Sequence, residues 1–334
     1  MAKLHISSTP HIHQKGSSTS RVMLDVVIAM LPAAVAGIII FGIKALWVIL
    51  TCVASAVIAE FLFNLCVHKK QTVGDFSAVV TGLLLALNLS INVQLWQCVV
   101  GSVFAIVVVK GLFGGIGKNI VNPAIAARVF MLLTFASVAA TVKVAPLFDL
   151  SFLGDAVNSD ILKVAADPEL VAGATPLAAL NGGVESAANA PTVLQLLVGV
   201  HGGTIGETCA IALLLGFAYL VARKVIKWYV PASFAATVFV CYFLFGGFNA
   251  TFALQHVLAG GLLLGAIFMA TDYVTTPITG KGRVVFCIGA GLLTFAIRQF
   301  GKYPEGVSIA ILTMNLLTPF ISDWTKKKTL GGVK

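Results

Sequence analysis

Charge is what this chain has least of. Only 10% of its 334 residues are charged, against 58% apolar. A soluble domain carries about 25% charged residues. Surface-to-volume scaling leaves a soluble fold of this size with more surface than so few polar groups can cover. Lipid must therefore supply the missing solvent. Acidic residues are scarcer still, 13 against 22 Lys and Arg, for a formal charge of +9. The basic residues sit at segment ends rather than in a stripe, which argues against a nucleic-acid partner and for charge-set membrane topology.

Paired cysteines are also missing. Cys52, Cys66, Cys98, Cys209, Cys241 and Cys287 form no CxxC, and all but Cys66 lie inside apolar runs. They are expected to pack as small hydrophobes, with no disulfide, cluster or metal site built within this chain alone. Residues 1–21 lack an apolar core between Lys3 and Arg21, so they do not read as a cleavable signal. The first apolar run, from Val22, is expected to stay as a membrane span.

Long apolar runs are what the chain does have. They cover roughly 22–43, 45–66, 76–91, 94–113, 122–140, 203–222, 229–247, 252–270, 284–299 and 306–323. Since a span needs about 20 apolar residues, the expected fold is an all-α polytopic membrane protein with about ten transmembrane helices. With the N-terminus inside, His68-Lys69-Lys70, Lys118, Arg223 to Lys227, Lys281-Gly282-Arg283 and Lys326-Lys327-Lys328 all fall on the cytoplasmic face. Lys44, Arg298 and Lys302 fall on the other side and count against it.

The expected organisation has five parts: a cytoplasmic segment 1–21, a first five-helix membrane repeat 22–140, an external loop 141–191, a second five-helix repeat 192–323 and a basic cytoplasmic tail 324–334. The loop is long and mildly acidic, and loops of that length are usually functional or disordered. Helical pieces are expected around 146–165, and a re-entrant or surface helix over 192–200. Gly117-Lys118 repeats as Gly301-Lys302 at an offset of 184, where Ile125-Ala126 also falls on Ile309-Ala310. Gly82 to Ala86 resembles Gly261 to Gly265 after a five-residue shift. Five spans per half is odd, so the second repeat must be inverted, with sites near the midplane where Gly and Pro break helices.

Several short motifs have both a chemical and a bland reading. Ala172-Gly173-Ala174-Thr175-Pro176 is a small-residue turn before a Pro-started helix. It is also a turn whose Thr175 hydroxyl has room for esterification by a phosphate. Glu207 and Asp272 stand at the edges of apolar runs, where an acidic group is either functional or a helix cap. The Gly-rich stretch around Gly206, Glu207 and Thr208 is a place where backbone amides can hold an anionic group. Asp25 lies near the mouth of the first span, and with Glu207 and Asp272 completes the ion-coupling candidates. His11 and His13 read as an interfacial pair rather than a metal site. Gly111 to Asn119 fails as a phosphate loop, because five residues separate Gly111 from Gly117 and Asn follows Lys118. It reads instead as a helix break.

Taken with other stretches, these residues carry a family resemblance. Ser8-Thr9-Pro10-His11-Ile12-His13, Met23 to Ala33, Gly202-Gly203-Thr204-Ile205-Gly206-Glu207-Thr208, His256 to Gly261, and Phe268-Met269-Ala270-Thr271-Asp272 with Pro277 and Gly282-Arg283 occur in order. The chain thereby resembles D subunits of Rnf ferredoxin:NAD⁺ oxidoreductases and the related B subunits of Na⁺-translocating NADH:quinone oxidoreductases. The short lead before Ser8 favours the Rnf branch, since the B subunits usually carry a longer N-terminal extension. Gly173-Ala174-Thr175 is similar to the family's flavinylation motif, with Ala172 where many members have Ser and Asp167 only loosely matching the usual upstream acid.

The resemblance implies FMN bound to Thr175 by a phosphoester, with Gly173, Ala174, Gly206, Glu207 and Thr208 as further cofactor-binding candidates, and a noncovalent riboflavin in the bundle at no assigned place. It further implies partners: other Rnf membrane and peripheral subunits, a second flavoprotein among them, in a prokaryotic cytoplasmic membrane. The implied function is electron carriage between ferredoxin and NAD⁺ coupled to Na⁺ or H⁺ translocation, the chain being one subunit of the enzyme. Its alternatives are the B subunit of the quinone reductase, a flavin-free transporter of inverted-repeat type, and a structural anchor.

Overall fold

The computed structural model describes residues 19–135, 176–180, 191–199, 201–301 and 306–326, and every regular element among them is helical. The expectations for residues 1–18, for the loop through Thr175 and for the end of the tail lie outside the described residues. The first half holds α1 (Thr19–Phe41), α2 (Ile43–Cys66), α3 (Ser77–Leu87), α4 (Leu95–Val103, continuing as a π-helix over Phe104–Gly111) and α5 (Pro123–Thr134). Two short helices follow, α6 (Pro176–Leu180) and α7 (Val193–Val198). The second half holds α8 (Ala210–Ala222), α9 (Tyr229–Phe245) and α10 (Ala250–Leu258). It ends with α11 (Leu262–Leu264, continuing as a π-helix over Gly265–Met269), α12 (Gly280–Phe300) and α13 (Val307–Trp324).

Local chemistry sets these boundaries. The Asn122 side chain accepts from the Ala124 and Ile125 amides, and Pro123, which has no amide to satisfy, opens α5. Asn249 caps α10 in the same way, and Thr279 caps α12 by accepting from Gly282. The Thr192 and Gln195 side chains form a reciprocal capping box on α7. Gly114, Gly115 and Gly117 all have positive φ, so the stretch after the π-helix turns.

Among the described residues, α1, α2, α12 and α13 are each long and apolar enough to cross a membrane, and α10 with α11 makes a fifth span if the bent pair counts as one. The remaining apolar helices α3, α4, α5, α8 and α9 are shorter. Leu31, Val35, Trp47, Leu50, Ile58 and Phe61 are exposed along α1 and α2. Water would penalise such a belt, whereas lipid accepts it. The protein is a membrane protein. Small residues let its helices approach closely: a Cβ on Gly82 would lie 2.8 Å from the Cys52 carbonyl oxygen.

Two expected spans differ from the helices found. The run over 252–270 is one helix in the sequence pattern but two in the structure, bent by 64°. Gly260 and Gly261 have φ of 76° and 65°, a left-handed conformation that ends α10 and restarts the chain. The run over 76–91 is helical only to Leu87, where Asn88 turns its side-chain amide onto the Leu84 carbonyl oxygen at 2.7 Å.

In the first half α2 packs on α3 and α4; in the second α12 packs on α9 and α13. The halves meet where α1 packs on α8 and α5 on α13. Four helices of the second half start at nearly constant intervals after four of the first. Tyr229 of α9 follows Ile43 of α2 by 186 residues, and Val307 of α13 follows Pro123 of α5 by 184. Leu262 of α11 follows Ser77 of α3, and Gly280 of α12 follows Leu95 of α4, each by 185. The N-caps of α3 and α11, Phe76 and Gly261, are both left-handed.

Candidate functional site

Three interruptions of helix meet in the interior: the end of α3 at Leu87 to Leu89, the loop from His201 to Thr208, and the Gly260–Gly261 break. The loop runs beside the end of α3, where the Ile205 amide donates to the Leu89 carbonyl at 3.0 Å and the Gly206 amide to the Leu87 carbonyl at 2.8 Å. Only glycine permits that approach, since a Cβ on Gly206 would stand 2.5 Å from the Leu87 Cβ.

In this loop the Gly206 amide donates to the Leu87 carbonyl and the Glu207 amide to the Thr204 carbonyl at 3.2 Å, so both are hydrogen-bonded within the protein. What the loop does present is side chains. Glu207 is buried, and its carboxylate accepts from the Thr204 hydroxyl at 3.1 Å. It is not a cap, because the N-cap of α8 is Cys209. Thr208 Oγ1 and His201 Nε2 are buried without a hydrogen-bond partner among the described residues.

Around Glu207 stand two arginines that the motifs do not include. Arg298, 1% exposed, donates from Nη1 to the His256 carbonyl at 2.6 Å and from Nη2 to the Ala259 and Gly260 carbonyls at 3.0 and 3.1 Å. It thus takes up the carbonyls that the end of α10 leaves without helical partners, which no water in the hydrocarbon could satisfy. Arg128 donates from Nη1 to Asn88 Oδ1 at 2.5 Å, holding the end of α3. The Glu207 carboxylate acts electrostatically on both guanidiniums. A Cβ on Gly261 would come within 3.7 Å of its Oε2, which brings the break and the loop together. A signal for both was present in the sequence, because Arg128 and Arg298 are charges inside apolar runs.

The other expected positions lie elsewhere. Asp25 accepts from the Tyr219 hydroxyl at 3.0 Å and from Arg223 at 3.3 Å, joining α1 to the end of α8. Asp272, just after α11, accepts from the Val274 amide at 3.2 Å and the Thr275 hydroxyl at 3.0 Å, closing its own turn. With Ser77, Lys110, Asn119 and Asn122 it lines a cavity between the halves that does not include Glu207. Gly173, Ala174 and Thr175 lie outside the described residues. The described chain resumes at Pro176, and α6 packs on α10, with Leu177 and Leu180 buried and Leu177 against Gly260.

Residues 5–331 match the NQR2, RnfD, RnfE family. The chain belongs to it. Among members of this family, it is 43% identical to the D subunit of the Na⁺-translocating ferredoxin:NAD⁺ oxidoreductase complex of Acetobacterium woodii, over 99% of this chain and 96% of that protein. It is 38% identical to the D subunit of the proton-translocating ferredoxin:NAD⁺ oxidoreductase complex of Clostridium ljungdahlii, over 98% and 96%. A third relative is the D subunit of the ion-translocating oxidoreductase complex of Stutzerimonas stutzeri, 34% identical over 94% of this chain and 93% of its own. Family members this similar are named for different ions, so membership leaves the choice between Na⁺ and H⁺ open.

Proposed function

We propose that this chain is the membrane D subunit of an Rnf-type complex that passes electrons between ferredoxin and NAD⁺ and couples them to Na⁺ or H⁺ translocation. Near full-length similarity to subunits bearing that name is the observation that carries the reading. Its partners are the other Rnf subunits, including a second flavoprotein. The B subunit of the quinone reductase is the alternative, since the family description spans both branches.

In this reading the chain crosses the cytoplasmic membrane ten times in two inverted five-helix repeats, with both termini inside and residues 141–191 outside. The spacing of 184 to 186 residues between corresponding helices supports the repeat. So do the paired left-handed caps.

FMN is carried on Thr175 as a phosphoester and supplies the electron transfer that no set of side chains in this chain provides. The described residues fit such a group in one respect. Helix α6, directly after Thr175, is fixed by two buried leucines, so a tether there has an anchored base. Noncovalent riboflavin belongs to the same reading, with no residue assigned to it.

Thr175→Ala tests the assignment. It should remove flavin fluorescence from the denatured chain and stop ferredoxin-dependent NAD⁺ reduction while the complex still assembles; Thr175→Ser should retain part of the label. An unmodified Thr175 peptide in mass spectra of fully active complex would exclude the phosphoester.

A further inference from the structure

Far from the helix breaks, three helix ends converge at one end of the bundle: the start of α9, the start of α12 and the end of α13. Helix α12 packs on both of the others. A Cβ on Gly280 would lie 3.0 Å from the Tyr229 hydroxyl, so α12 begins directly against α9. The Thr279 and Thr325 hydroxyls are 2.6 Å apart, so α13 ends against the same turn. A Cβ on Gly282 would stand 2.7 Å from Thr325 Oγ1, which leaves no room between the two ends.

Cations and aromatic rings are held together here. Lys227 Nζ lies 5.8 Å from the centre of the Tyr229 ring, and Arg283 Cζ lies 5.9 Å from that of Tyr273. At that distance a ring face attracts a cation. Arg283 is fixed further by its Nε, which donates to the Pro277 carbonyl at 3.0 Å. Lys281 is exposed next to the Gly280 contact. Among the described residues Lys326 pairs with Asp323 and Arg223 with Asp25, whereas no carboxylate pairs with Lys227, Lys281 or Arg283. Trp228, Ile278 and Trp324, adjoining these residues in the chain, are exposed as well, Ile278 by 84%. Water suits the cations but not the apolar side chains, and hydrocarbon suits the reverse. The boundary between headgroups and acyl chains suits both. A zwitterionic headgroup brings its own cation, so three uncompensated cations favour a headgroup of net negative charge.

We propose that this end of the bundle is a docking site for an anionic phospholipid. Lys227, Lys281 and Arg283 take the headgroup phosphate, while Trp228, Ile278 and Trp324 lie along the first carbons of the acyl chains. One lipid bound there ties α9, α12 and α13 together where they meet. The site needs only membrane insertion and stands apart from the redox reading.

The test uses the purified complex containing this chain, stripped of lipid in a neutral detergent and titrated with dioleoylphosphatidylglycerol. Native mass spectrometry counts the bound lipid, and the thermal unfolding midpoint is followed alongside. The midpoint of the wild type should rise with this lipid, less so at high salt, where exposed charges are screened. Dioleoylphosphatidylcholine at the same concentrations should not raise it. The triple variant Lys227→Gln, Lys281→Gln, Arg283→Gln should need at least tenfold more phosphatidylglycerol for the same rise. Lys69→Gln, Lys70→Gln, Lys118→Gln removes equal charge from another part of the chain and should respond as the wild type does. Lys281→Gln alone should shift the titration in the same direction by less, and decides the matter where the triple variant does not assemble. The proposal is overturned if phosphatidylcholine acts as well as phosphatidylglycerol, or if the control triple variant loses as much affinity as the first. It is equally overturned if inorganic phosphate without lipid reproduces the shift, or if a photo-crosslinker at position 281 captures another subunit instead of lipid.

Discussion

Arg298 holds the broken end of α10 through the His256 carbonyl, 2.6 Å from its guanidinium, across a sequence separation of 42 residues. The same side chain reaches the Ala259 and Gly260 carbonyls, so one residue of α12 fixes the geometry of the break. Replacing it with Met strands three buried carbonyls and leaves Glu207 with one cation fewer. The expected cost is about 3–5 kcal/mol, the usual result of breaking a buried charged network. Arg298→Lys should be nearly as damaging, because an ammonium cannot match the fork of the guanidinium. Thermal unfolding of the detergent-solubilised complex measures this. A loss of under about 1 kcal/mol for Arg298→Met would mean that water or a partner subunit satisfies these carbonyls.

The close approach of loop and helix at Gly206 makes a second prediction. A Cβ there would stand 2.5 Å from the Leu87 Cβ and 3.0 Å from the Leu87 carbonyl oxygen. Gly206→Ala must push the loop away from α3, costing about 1–3 kcal/mol through overpacking. Gly115 is the control. It has φ of 97° but nothing within 4 Å of an added Cβ, so Gly115→Ala carries only backbone strain. Comparable destabilisation by the two would show that close packing is not what demands glycine at position 206.

Much of this arrangement is legible in the amino-acid order alone. Runs of apolar residues locate α1 and α2 to within a few residues, and Asn122-Pro123 marks the start of α5, because caps and hydrophobic length are local properties. The break at Gly260–Gly261 is hidden inside one continuous apolar run, since hydropathy does not register φ. Arg298 reads as a charge opposing the topology; its partners are main-chain carbonyls of α10, which no motif encodes. The ion pair between Glu60 and Lys110 spans 50 residues and depends on α2 packing against the π-helix after α4. A single sequence shows both charges in apolar runs but not that they meet. Thr175 stands the other way round: its role is read from resemblance alone, and it lies outside the described residues.

Glu207 and Asp272 should behave differently when neutralised. Glu207→Gln removes a buried carboxylate that acts on Arg128 and Arg298, so electron transfer and ion pumping should both fall by about tenfold or more at near-normal assembly. Asp272→Asn keeps one oxygen for the Val274 amide but loses an acceptor for Thr275, so the turn loosens. Its effect should appear mainly in pumping, through the cavity it lines between the halves. Paired measurements of NAD⁺ reduction and ion uptake in vesicles separate the two. Wild-type rates of both in both variants would reduce these carboxylates to local structure.

Asp25 provides the sharpest contrast among the three acidic candidates. Its carboxylate is taken up by the Tyr219 hydroxyl and by Arg223, whose side chain is 56% exposed. An ion pair open to solvent on one side is screened by salt and contributes little to stability. A coupling carboxylate, by contrast, has to release its partner and accept an ion during turnover. Arg223 belongs to the basic cluster that follows α8, and its half-exposed side chain faces solvent rather than the interior. Asp25→Asn should therefore leave ion uptake per electron unchanged, with only a small change in stability that disappears at high salt. Arg223→Gln should behave in the same way. If Asp25→Asn instead uncouples electron flow from ion uptake while Arg223→Gln does not, the carboxylate acts on the ion directly, and its pairing with Arg223 is a resting arrangement.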